Sequence, residues 1–216
     1  TTWLNASRST GAGVYVKDTN GATVSGNTID NVTRDGAGID VTNAGGVQIT
    51  DNFIGTNGAA DNISGDGIVV TGNENTTISG NEIANVGNDG VRFADEQNGV
   101  TVEITGNTIT TDNANGIAFD AETSISGGST VTIADNTINA DDDGVDVNGA
   151  TTGAGTNLII AGNTITAGND GLDISAVKNG ASVTIGGMGA YDDPATPAEF
   201  RGNRITADDD GIEFDA

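Results

Sequence analysis

Carboxylates are the side chains with chemistry to offer in this sequence. Asp and Glu number 31 against 7 Lys and Arg, and there is no His and no Cys. The acids recur in a pattern. Asp-Gly pairs stand at Asp66-Gly67, Asp89-Gly90, Asp143-Gly144, Asp170-Gly171 and Asp210-Gly211. Three residues beyond the Asp of the last three pairs come Asp146, Asp173 and Glu213, and Asp141, Asp142, Asp208 and Asp209 lie just ahead. If these segments stack, Asp143, Asp170 and Asp210 form one acidic column and Asp146, Asp173 and Glu213 a second beside it. Like charges at a strand spacing of about 4.8 Å repel by roughly 1 kcal/mol even at the dielectric of water. A hard cation relieves that repulsion, so Ca2+ is the cofactor these six residues could hold. Solvated carboxylates with loose counterions fit the same spacing. Paired carboxylates are also what acid–base glycoside hydrolysis requires. The plainer reading of Asp-Gly is turn chemistry, since both residue types tolerate left-handed backbone.

The elements that must position these acids follow from a repeat. Asn27, Asn52, Asn81, Asn107, Asn136, Asn163 and Asn203 recur at steps of 25 to 29 residues, with a single step of 40. Gly38, Gly67, Gly90, Gly116, Gly144, Gly171 and Gly211 recur in parallel. Within each unit, short stretches alternate apolar and polar residues, the period of strands with one buried face. Three inward columns are expected, headed by Val24, Ile29 and Ile39 and ending at Ile185, Ile205 and Ile212. A unit of this length cannot bury its own apolar face, so the units must stack as a solenoid. The expectation is an all-β fold of about eight coils with three short strands each, forming a single segment over 1–216. Asn repeated at one place per coil predicts a structural ladder, its amides bonded along the stack. The step of 40 marks a loop insertion at 186–199, where Tyr191, with Phe200 just beyond, offers a contact for sugar or protein.

The G-N-x-I and D-G-[IV] elements spanning about Val24 to Phe214 resemble the pectate-lyase-like superfamily of right-handed parallel β-helices. The resemblance implies the fold, and a choice among pectin and alginate enzymes, tailspikes, adhesins and filament proteins. Its polygalacturonase-like hydrolases place acids on neighbouring coils, as Ala140-Asp141-Asp142-Asp143-Gly144 and Ala207-Asp208-Asp209-Asp210-Gly211 would here. They also use a His and a basic pair that this chain lacks. The lyases use Arg or Lys as base beside calcium. The alginate epimerases use a His-containing motif after Asp-Pro, whereas Asp193-Pro194 is followed by Ala195. No catalytic residue is therefore assigned.

Composition narrows the partners. A formal charge of −24 repels nucleic acid, and no apolar run is long enough to enter a membrane. The start at Thr1, with neither Met nor a signal-peptide pattern, is expected of a processed or excised segment. Thr108-Ile109-Thr110 and Thr164-Ile165-Thr166 place paired outward Thr as ice-binding β-solenoids do. Asn139 and Arg204 interrupt the array, and strand propensity accounts for the Thr. Four Asn-x-Ser/Thr acceptor patterns, beginning at Asn5, Asn31, Asn62 and Asn75, are what chance supplies in so Asn- and Thr-rich a chain. The sequence thus points to a secreted or cell-surface structural or adhesive module, self-associating end to end or continuing in the same solenoid, with glycans as further partners. The alternatives are a polysaccharide-active enzyme or carbohydrate-binding module, and a phage or secretion-system fibre segment.

Overall fold

The computed structural model describes residues 3–5, 11–56, 63–120, 123–187 and 202–214. All paired strands are parallel, and each pairs with the strand one coil away, so the chain is a β-solenoid. One coil shows the plan. Thr101–Thr105 lies in a first sheet, Thr108–Thr111 in a second and Ile117–Phe119 in a third. The first sheet has seven strands, the second and third eight each. Six coils carry one strand of each long sheet in regular order. A seventh is split between Ser182–Ile185 and Arg204–Ala207, and a partial one leads the stack, so regular coils are slightly fewer than the expected eight.

The inward columns are stacked residue on residue. Ile104 pairs with Ile78 and Ile133, Ile109 with Ile83 and Ile138, and Ile117 with Val91 and Val145. Through the middle coils these side chains are 0–1% exposed. Because the side-chain period is two, a one-residue slip would turn a whole column outward, and the burial of Ile therefore holds the register. Phe93 and Phe119 add a stacked pair inside the third sheet, their ring centroids 4.7 Å apart.

Two features differ from expectation. Coils 3 to 6 carry a fourth, two-residue strand, Gln97–Asn98, Ile125–Ser126, Thr151–Thr152 and Val177–Lys178, in a short sheet of their own. The Asp-Gly pairs are not left-handed turns, since none of their ten residues has positive φ. Their Gly is required by crowding: a Cβ on Gly116 would strike Ile138 Cγ2 and stand 2.6 Å from the Gly144 carbonyl oxygen of the next coil. The left-handed residue is instead the one before each ladder Asn from Asn27 to Asn163, Gly106 at φ 65° and Asp135 at φ 57° among them. It turns the chain sharply from the first sheet into the second. The insertion expected at 186–199 lies, from residue 188 on, outside the described residues, as do Tyr191 and Phe200.

The Asn column lies along that turn. Asn107 Nδ2 donates to Asn136 Oδ1 at 2.9 Å and to the Ile78 carbonyl at 3.0 Å, while its backbone N–H donates to the same Asn136 Oδ1 at 2.9 Å. The pattern runs unbroken from Asn27 to Asn203. From Asn52 on, each amide accepts an N–H and donates to a carbonyl of the coil before it, so these polar atoms stay paired.

Candidate acidic face

A second ladder runs at the Asp-Gly corner, just before the third sheet. Oδ1 of Asp66, Asp89, Asn115, Asp143 and Asp170 accepts, in order, the backbone N–H of Asp89, Asn115, Asp143, Asp170 and Asp210. The distances are 3.3, 3.1, 3.1, 2.9 and 2.7 Å. Asp143 Oδ1 also accepts Asn169 Nδ2 at 2.8 Å. Asp66, Asp143 and Asp170 are buried and Asp89 half-buried, each with one oxygen committed to stacking, while Asp210 at the end of the ladder is exposed.

Three residues on, the outward positions of the third sheet form the outer column. Its register is Asp40, Val69, Arg92, Ala118, Asp146, Asp173 and Glu213. The structure brings all six expected acids together in two adjoining columns. A carboxylate oxygen from each of Asp170, Asp210 and Glu213 lies within 4.8 Å of the other two. Oxygens sharing one Ca2+ at about 2.3–2.6 Å stand at most about 5 Å apart, so this trio fits a shared cation. Asp146 packs against Asp173 in register, and its Oδ1 is buried without a donor. Burial first, then the charges of Asp173 and Asp143, pushes its carboxyl up to about 7. Burial also raises Asp142, reinforced by Asp143 and Asp170.

The upstream half of this face holds residues that the reading of the acid pattern passed over. Arg92 takes the outer-column position and grips Asp120, with Nη2 to Oδ2 at 2.6 Å and Nε to Oδ1 at 2.9 Å. Its Nη1 stands 3.6 Å from Asp66 Oδ2. These carboxylates hold its guanidinium well above its ordinary range. Asp66 is itself raised, because burial outweighs the pull of Arg92. Asp89 is pushed up to about 6 by burial and the charge of Asp66. Asp66, Asp89, Arg92, Asn113, Asn115 and Asp142 line a polar groove of about 310 Å³. The signal was present, since Arg92 follows Asp89 by the same three residues that separate Asp143 from Asp146.

A family model described as a right-handed beta helix region matches residues 4–165. The chain belongs to the right-handed β-helix family. Membership accounts for the parallel sheets and stacked columns and assigns no chemistry, because β-helices host unrelated functions. No curated protein and no solved structure matched the chain.

Proposed function

We propose that this β-helix is a structural module of a secreted or cell-surface protein, working as a rigid stalk or stacking element rather than as a catalyst. One observation carries the reading: Asp66, Asp89, Asp143 and Asp170 each spend one oxygen on a backbone N–H of the next coil. Catalytic carboxylates come with convergent polar partners, and here the partner groups are those of the scaffold. The Asn ladder supports the stacking part, since each coil is held to the next by the same repeated bonds.

In this reading the two acidic columns are cross-linked by a divalent cation. Asp170, Asp210 and Glu213 would hold Ca2+, with Asp143, Asp146 and Asp173 of the same columns beside them. The test is light scattering and electron microscopy of the chain across calcium concentrations, with melting followed in parallel. Rods or fibres whose axial repeat is a multiple of the coil spacing, and a melting temperature that rises with calcium, are expected. Melting indifferent to both calcium and chelator would remove the cation from the account.

The polar groove favours a second reading, a carbohydrate-binding or carbohydrate-active site. Asp89 near pH 6 beside Arg92 is a titratable group in a cavity of sugar-ring size. Screening against neutral and acidic oligosaccharides, with Asp89→Asn as the paired variant, tests it. Binding lost in that variant would favour the second reading over the first.

A further inference from the structure

On another side of the solenoid, the outward surface of the second sheet carries hydroxyls in a lattice that strand register, not sequence order, defines. Thr108, Thr137 and Thr164 pair directly across three coils, and Thr110, Asn139 and Thr166 form the neighbouring column. All but the half-buried Thr110 are exposed. Columns and coils set spacings of roughly 6.6 Å along the strands and about 4.8 Å between them. The six positions carry no charge, with Glu82 one coil before them, Arg204 one coil after, and the exposed Asp112, Asp135 and Asp141 at the strand ends. Asn139 therefore interrupts a single point of a six-residue lattice, and Arg204 stands at its edge.

We propose that this face binds the ordered water of an ice surface. Charge and hydrogen-bonding chemistry both match such a surface. Ice presents an uncharged, repeating plane of oxygens that both donate and accept hydrogen bonds, and a Thr hydroxyl does the same. A β-branched side chain has few χ1 states, so strand register fixes each hydroxyl and methyl in place. The strands beneath are held by the buried Ile109, Ile138 and Ile165, which keeps the face from yielding on contact. A basic partner would be drawn to the acidic face instead, and a stacking saccharide would need aromatic rings, which these six positions lack.

Nanolitre osmometry on the purified chain, with ice itself as the probe, tests the proposal. Thermal hysteresis that grows with protein concentration is expected. Thr137→Lys should abolish it, Asn139→Thr should increase it, and Thr184→Lys, an equally exposed change on the first sheet, should leave it intact. These side chains point to solvent, so circular dichroism of each variant should match the parent. A folded parent without hysteresis would overturn the proposal, as would hysteresis that survives Thr137→Lys. Retention on crystalline cellulose or chitin without any effect on ice would overturn the choice of occupant.

Discussion

At the scale of single residues, the same side-chain type does different work according to which atom faces the next coil. Asp143 accepts the Asp170 N–H at 2.9 Å, and Asn115 occupies an equivalent place as an amide. Asp143→Asn keeps the accepting oxygen and removes a charge, so its stability should stay within about 0.5 kcal/mol of the parent or rise. Asp143→Ala leaves a buried N–H unpaired and should cost about 1–3 kcal/mol. Chemical denaturation in calcium-free buffer checks both, and equal losses would contradict the acceptor role. Asn107→Ala should also cost about 1–3 kcal/mol, because the Asn81 backbone N–H loses its acceptor. The Asn column was legible because one residue type recurs at one place. The grip of Arg92 on Asp66 and Asp120 was not, because it reaches across coils to one acid of the inner ladder and one outside it.

At the scale of elements, the three long sheets were readable because each buries one β-branched residue per coil at a constant place. The fourth sheet had no such signal. Gln97, Ile125, Thr151 and Val177 share a position but no chemistry, and Gln97 is buried by donating to the Gly72 and Asp95 carbonyls at 3.2 and 2.8 Å. The role of the Asp-Gly glycines was also hidden. Sequence suggests backbone freedom, whereas the structure shows the closeness of the next coil's carbonyl and of an Ile methyl. Gly116→Ala should therefore destabilise by about 1–3 kcal/mol through overpacking rather than strain in φ. Gly106→Ala, with open space around it and φ of 65°, should be destabilising through backbone strain alone. Ile138→Ala separates the two causes, since removing Cγ2 should shrink the further cost of Gly116→Ala in that background and leave that of Gly106→Ala unchanged.

At the scale of the whole molecule, half-buried acids couple the stack to pH. Asp89 and Asp146 are raised to about 6 and about 7, against about 3.9 in an unfolded chain. Between about pH 4 and 7 the folded state therefore holds more protons than the unfolded state, so stability is greatest at the acid end and falls as pH rises. In calcium-free buffer the melting temperature should be higher at pH 5 than at pH 8, and Asp146→Asn should flatten the upper part of that slope. A melting temperature that climbs over this range would contradict the burial of these groups. Arg92 works the other way on Asp66, lowering it against the larger effect of burial. The central claim is that this face holds coils together and turns nothing over. Incubation with polygalacturonate, alginate and neutral glucans, followed by release of reducing ends and unsaturated uronates, tests it most directly. The account predicts no product from any of them; turnover that disappears in Asp89→Asn or Asp143→Asn would contradict it.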